Sequence, residues 1–469
     1  MAFIGVAKGF AQRHSAAIIS PYCPQIIIDK AGDFERSAVT LNSIRSDVQK
    51  FAQWNPSVRP RNELFDETVR AAFNKFQVTQ VNPIHLNDLP KLHQKTDVSS
   101  PGIPWKDLGF KTKREVLDDK TAFQSIRRFW HRVKRSEDVR PADCSAFMRA
   151  HIVKKGDIKV RAVWGYPATI SFMEACFALP LLEKIKWSKT PMAYGYETAK
   201  GGSSRVKSRF SGYNQYLGAD FKDFDKTVPA WLIRIAFDIV LSNFDLRKYK
   251  DEGTPNTGEL AIVWEYIVDY FIKTPIRLCN GERYRKMKGV ASGSYFTQII
   301  DSIVNWIVIV YCLKKQGMII NDLLVLGDDS LVALQGQCDL ELLDREMEES
   351  FGMKLNTKKS IQSKRLSDIV FLGYLMAHSP TKDEASLYAA LAFPETPDKY
   401  IDQFVTRAVG LCIANFAVHT EFDRSCRIIS QIPHKNVVTP SLRRFLDQMG
   451  IDQVPALPPD QLDLYLMSH

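Results

Sequence analysis

The sequence has no CxxC pair. Its eight cysteines are scattered singly, which excludes a zinc ribbon or a disulfide framework and fits a reducing compartment. The nine histidines form no ligand-spaced cluster. No apolar run reaches the roughly 20 residues that span a bilayer. The longest, from Ile303 to Leu313, carries Asn305, so no membrane partner is expected. No basic-then-apolar leader opens the chain, and neither export nor mitochondrial import is expected. Repeats, low-complexity tracts and Gly/Ser linkers are missing too. In 469 residues that implies several subdomains packed on one another rather than tethered modules.

What is present in excess is positive charge. Lys and Arg number 63 against 53 Asp and Glu, a net charge of +10. The surplus is concentrated: Lys111 to Arg161 holds 15 basic and 7 acidic residues, a net of +8. Such a patch suits a polyanion, bound more weakly as salt rises. Within it, Lys120 to Arg135 reads as an amphipathic helix. Phe123, Ile126, Trp130 and Val133 form one face, and Arg127, Arg128, Arg132, Lys134 and Arg135 the other.

Two strand-turn-strand signals follow. HIVKKGDIKVRAVW (His151 to Trp164) is predicted to turn at Gly156-Asp157, which would pair Lys154 with Lys159 and put Arg161 on the same face. Like charges opposite each other destabilise a ribbon, so three cations there imply an anion. LLVLGDDSLVAL (Leu323 to Leu334) is predicted to turn around Gly327-Asp328. Turn propensity accounts for one aspartate at that tip but not for Asp328 and Asp329 together, which repel unless a cation is near. Between the two signals lie a strand, YLGADF, and a helix opened by Pro229. Asp220 and Asp225 would stand about 140° apart on one helix. At a strand end running into a turn, both can face one site. Oxygen ligands on rigid strand ends suit Mg²⁺.

GVASGSYFTQIIDSIVN (Gly289 to Asn305) starts as a small-residue turn and becomes a helix. Thr297, Asp301 and Asn305 then form one polar stripe on an apolar helix. Such a stripe needs polar partners when buried. Past Asp339 an acidic helix is predicted to bury Leu340, Leu343, Met347 and Phe351 and to end near Gly352. The last ninety or so residues read as mainly helical.

In order and spacing, Asp220-x4-Asp225, Ser292-Gly293-x3-Thr297 with Asn305, and Gly327-Asp328-Asp329 resemble motifs A, B and C of viral RNA-dependent RNA polymerases. SGSYFTQIIDSIVN is similar to the partitivirus branch of double-stranded RNA viruses, with picobirnaviruses as near relatives. The resemblance implies an α+β right hand of fingers, palm and thumb, with a small antiparallel palm sheet backed by helices. Residues 1–212 would be fingers, with an N-terminal extension reaching the thumb, and 246–288 a second fingers segment. Residues 213–245 and 289–378 would form the palm, and 379–469 the thumb.

It also implies roles. Asp220, Asp328 and Asp329 would hold two Mg²⁺ or Mn²⁺ ions. Asp225, Ser292, Gly293, Thr297 and Asn305 would bind the nucleotide and its ribose. Lys154, Lys159 and Arg161 resemble motif F, which grips the triphosphate. Ser99, Pro101 and Gly102 resemble motif G beside the template. In KLNTKKS, Lys359 would protonate pyrophosphate as motif D does, with Lys358 adjacent. Phe371-Leu372-Gly373-Tyr374 sits where motif E would lie. Asp301 departs from the Asn of many positive-strand RNA virus polymerases, and a carboxylate donates a hydrogen bond only when protonated. The implied activity is RNA synthesis on an RNA template, replicating and transcribing a double-stranded RNA genome. Partners would be template and product RNA, NTPs and the viral capsid protein, in the host cytoplasm inside the virion. Two alternatives are a reverse transcriptase, which would lack the acid at Asp225, and a non-catalytic RNA-packaging protein, which needs no acidic constellation.

Overall fold

A computed structural model describes residues 1–11, 18–53 and 57–469. At its centre is a four-stranded antiparallel sheet in the order Ile319–Leu326, Asp329–Gln335, Tyr216–Ala219, Ile361–Ser363. Successive side chains on a strand point to opposite faces, so this sheet divides two hydrophobic cores. Leu217, Leu323, Val325, Val332 and Leu334 enter one core. Tyr216, Leu324, Leu331 and Ala333 enter the other.

The helix Thr297–Lys315 backs the first face. It is largely apolar apart from the stripe of Thr297, Asp301 and Asn305, and Ser302, and by length and composition alone it could cross a membrane; here its residues from Ile299 to Leu313 are all buried in the core. Against the second face lie Ile369, Phe371 and Tyr374, with helices from Glu384–Ala392 onward. Val370–Phe371 and Tyr374–Leu375 form a tight hairpin whose two central residues, Leu372 and Gly373, both have positive φ (52° and 76°). The acidic helix forms over Leu340–Phe351, capped by Asp339 and closed by Gly352 at φ 61°.

A second sheet joins distant segments in the order Ala2–Val6, Glu282–Arg285, Pro275–Arg277, Cys144–Ala150, Val160–Gly165. Here one expectation is corrected. Lys154 does not pair with Lys159: Ile152–Lys154 pairs with Phe34–Arg36, and Val160–Gly165 pairs with Cys144–Ala150. The chain does turn after Lys154, with Asp157 N–H donating to the Lys154 carbonyl (3.0 Å). A partner strand more than a hundred residues upstream, however, has displaced the local hairpin. The amphipathic helix forms as read, over Lys120–Lys134, with Ile126, Trp130 and Val133 buried and Phe123 partly so. The N-terminal helix Gln25–Lys30 packs on Glu384–Ala392, and Ser20 N–H donates to the Ala392 carbonyl (2.9 Å).

Candidate active site

The expected hairpin tip is present: Leu326 pairs with Asp329, leaving Gly327-Asp328 as the two-residue turn. Gly327 has φ 64°, and a Cβ there would lie 2.8 Å from Gln298 Nε2. The turn is pinned from behind. Asn305 Nδ2 donates to the carbonyls of Gly327 (3.0 Å) and Asp329 (3.1 Å), and Gly327 N–H donates to Ser302 Oγ (2.9 Å). The neighbouring strand pairs Ser330 with Ala219, so the next step in register sets Asp220 beside Asp329. Asp220 is held through its backbone: its N–H donates to Ser360 Oγ (3.0 Å), and its carbonyl accepts from Asn356 N–H (2.7 Å).

The three carboxylates remain accessible to water. Burial raises Asp328 above the ordinary carboxylate value; Arg161 lowers it, while Asp225 and Asp220 push it up. Asp329 is raised to about 7 by burial, then by Asp328 and Asp220. Asp301 is raised well above the usual range by burial, Asp328 and Asp225, with Lys286 opposing, and its Oδ1 has no hydrogen-bond partner. Mutual repulsion of this kind marks a site short of positive charge. Among the described residues no three His, Cys, Asp or Glu side chains already stand at metal-ligand spacing. The donor set of hard, repelling oxygens still fits a divalent cation, which would draw them together.

Asp225 lies on the short helix Phe224–Thr227, directly after Asp223, whose φ is 51°. Its two carboxylate oxygens accept from Lys226 Nζ at 3.1 and 2.9 Å, and Lys226 also reaches Asp47 at 3.3 Å. Asp47 accepts from Ala162 N–H (2.8 Å).

The serine-glycine turn is wedged between two elements. Trp164 N–H donates to the Ser292 carbonyl (3.1 Å), and a Cβ on Gly293, at φ 115°, would lie 2.1 Å from the Trp164 carbonyl oxygen. On the other side Glu174, wholly buried in the helix Ala168–Lys186, accepts from Ser294 Oγ (2.8 Å) and Tyr295 N–H (3.0 Å). Thr297 Oγ1 donates to the Ala291 carbonyl (2.8 Å). Asn305, expected among the nucleotide-binding residues, is wholly buried beneath the hairpin, where its amide nitrogen bonds the turn.

The cations are brought in from several elements. Burial lowers Lys159, as do Arg161 and Lys359, while Asp220 and Asp328 raise it. Lys159 thus lies within electrostatic reach of Arg161 and Lys359 on one side and of Asp220 and Asp328 on the other. Lys154 is exposed on the other side of its turn, paired with Phe34. The real cross-strand cation pair is Arg149 with Arg161. His151, beside them, is pushed down to about 3 by burial and then by Arg161, Arg149, Lys159 and Arg36. Of the three template residues expected, Ser99 is exposed, but Pro101 and Gly102 are buried. The Pro101 carbonyl accepts from Ala168 N–H (2.7 Å), and a Cβ on Gly102 would lie 2.7 Å from the Tyr166 carbonyl oxygen, so both serve the packing of the loop.

Sequence reading missed Arg149, Glu174, Asp47 and Lys382. Lys382 donates to the Gly373 carbonyl (2.8 Å), lies 3.9 Å from the Tyr374 ring centre, and is lowered to about 8 by burial with Asp329 opposing. Only Arg149 carried a signal, since it belongs to the basic stretch already singled out.

Residues 14–431 match the profile of the family described as viral RNA-dependent RNA polymerase. The RNA-directed RNA polymerase of Cryptosporidium parvum virus 1 is 28 % identical over 440 residues, covering 87 % of this chain and 79 % of the relative. That of Atkinsonella hypoxylon virus is 26 % identical over 334 residues, covering 61 % of this chain and 49 % of the relative. That of White clover cryptic virus 1 is 28 % identical over 304 residues, covering 57 % and 48 %. This chain thus spans most of the first relative and about half of the other two. With the profile matched over most of its length, on a mixed helix-and-strand fold, the chain belongs to the viral RNA-dependent RNA polymerases.

Proposed function

We propose that the chain synthesises RNA on an RNA template, replicating and transcribing a double-stranded RNA viral genome by two-metal-ion nucleotidyl transfer. One observation carries this reading: Asp220, Asp328 and Asp329 come together where adjacent strands end, Asp220 raising Asp328 and both raising Asp329, with Arg161 acting on Asp328 and Lys159 feeling Asp220 and Asp328. The four-stranded sheet would be the palm, formed by 213–245 and 289–378. Residues 1–212 and 246–288, which share the five-stranded sheet, would be the fingers, and 379–469 the thumb. The contact of Gln25–Lys30 with Glu384–Ala392 supports an N-terminal extension that bridges fingers and thumb.

Asp220 and Asp328 would be the principal ligands of two Mg²⁺ or Mn²⁺ ions, with Asp329 auxiliary. When bound, the ions would favour the ionised 3′-hydroxyl and offset charge on the leaving pyrophosphate. Arg161, Lys159 and Arg149 would grip the triphosphate, where guanidinium forks match phosphate oxygens. Asp225 would accept from the ribose 2′-hydroxyl, with Ser292, Gly293 and Thr297 shaping the sugar pocket. Lys359, with Lys358 adjacent, would supply a proton to pyrophosphate. Ser99 would border the template. Capsid protein would be the protein partner, within the virion in the host cytoplasm.

The test is templated incorporation of labelled NTPs by the purified chain with and without Mg²⁺. Strong preference for dNTPs would favour a reverse transcriptase. RNA binding without incorporation, unaffected by loss of Asp328, would favour a packaging protein.

A further inference from the structure

Lys226 is almost wholly buried, with a side-chain exposure of 2 %, and sits between two carboxylates of unequal access: Asp47 at 6 % and Asp225 at 31 %. Its ammonium lies 5.7 Å from the centre of the Phe51 ring, which packs edge-on against Trp164 at 5.3 Å. The sealed end of the trio is anchored to the strand that carries Arg161, because Asp47 accepts from Ala162 N–H (2.8 Å). At the open end, the Asp225 carbonyl accepts from Val290 N–H (2.6 Å) at the start of the serine-glycine turn. Gly289 has no side chain there, and a Cβ would lie 2.6 Å from that same carbonyl oxygen.

A buried charge trio is a weak device for stability, since apolar residues of the same volume do as well or better. Its arrangement is better suited to control one exposed carboxylate. Lys226 holds both oxygens of Asp225 from behind, leaving the outward lone pairs to accept from a ligand. Because Lys226 is shared with Asp47, the trio of two carboxylates and one ammonium keeps one net negative charge, and Asp225 remains a strong acceptor.

We propose that Lys226 and Asp47 are positioning residues that set how strongly Asp225 accepts from the ribose 2′-hydroxyl, and thereby set the preference for ribonucleotides over deoxyribonucleotides. The inference rests on the sugar-reading role proposed for Asp225. Asp47 also links that reading to the strand gripping the triphosphate, so a residue of the N-terminal region takes part in substrate choice without touching substrate.

The experiment compares kcat/KM for ATP and dATP on the full chain in wild type, Asp225→Ala, Lys226→Gln and Asp47→Asn. Both substrates are measured on one preparation, so any loss of folded protein cancels in the ratio. Asp225→Ala should lower discrimination at least about tenfold and Lys226→Gln about fivefold, as expected for loss of a charged acceptor's geometry. Asp47→Asn, nearly isosteric, neutralises the trio and should lower it about threefold, mainly by slowing ATP use. If Asp225→Ala lowers the ratio while Lys226→Gln and Asp47→Asn leave it unchanged, the relay is wrong and Asp225 reads the sugar alone. If Asp225→Ala also leaves it unchanged, the sugar reading fails and the relay with it.

Discussion

Arg149 stands directly opposite Arg161 across two antiparallel strands. Arg149 Nε lies 3.7 Å from Glu395, whose carboxylate is held more closely by Arg444 at 2.7 Å. The pair is therefore only partly neutralised by protein, which suits the triphosphate role proposed for it. Arg149→Ala and Arg161→Ala should each raise the KM for NTP more than they weaken template binding. Without NTP, Arg149→Ala should not destabilise the fold and should gain roughly 0.2–1 kcal/mol from relieved repulsion. NTP titrations beside RNA-binding isotherms and thermal melts check this; a lowered melting temperature with an unchanged KM would sink the phosphate assignment.

Asp220→Ala or Asp328→Ala should reduce incorporation at least about a thousandfold, because each would remove a ligand of the proposed ions. Folding and RNA affinity should persist, since neither carboxylate holds the fold. A variant polymerising near the wild-type rate would show that the metal site lies elsewhere.

Asn305 supports the hairpin tip from a wholly buried position. Asn305→Ala removes both of these bonds to the turn, at a cost of about 1–3 kcal/mol. Denaturant unfolding measures that loss. Incorporation should fall because the turn moves, with the ATP-to-dATP preference unchanged. A changed preference with unchanged stability would return Asn305 to the sugar pocket.

Glu174 gives a pH signature. Burial, opposed by Ser294, Tyr295 and Lys113, raises it from 4.5 to about 7. The folded state thus holds a proton that the unfolded state has already released, so stability falls as pH rises from about 4.5 to about 7. Glu174→Gln removes that slope. Relative to wild type, the variant should gain up to roughly 3 kcal/mol between pH 5 and 7.5, on top of a pH-independent loss at Ser294 and Tyr295. Lys113, lowered from 10.5 to about 8 by burial, changes stability only in the alkaline window. Parallel melts of the two proteins from pH 5 to 8 would refute this assignment if the curves ran parallel.

Asp301 is raised in the folded state by burial and by Asp328 and Asp225, so it is neutral where an exposed carboxylate would be charged. A neutral carboxyl donates one hydrogen bond, as an amide does. Asp301→Asn should therefore keep at least about half the activity and lose whatever pH dependence the Asp301 proton contributes. Initial rates from pH 6 to 9 decide the matter; a collapse of activity in Asp301→Asn would show that the charged carboxylate is required.

Spacing and local chemistry alone determined the Gly327-Asp328 turn, the strand carrying Asp220, the Pro229 and Lys120 helices, and the ordered carboxylates that mark the family. Each of these depends on residues close along the chain, where turn propensity and apolar period act directly. Tertiary structure decided the rest. The partner of Arg161 became Arg149 because Phe34–Arg36 took Lys154's strand. Asn305 bonds the hairpin tip because its helix is buried beneath that turn. Asp47 met Lys226, and Glu174 met Ser294, across separations that carry no local signal. A buried polar group is satisfied by whichever partner the packing delivers, and that choice is made by the whole fold.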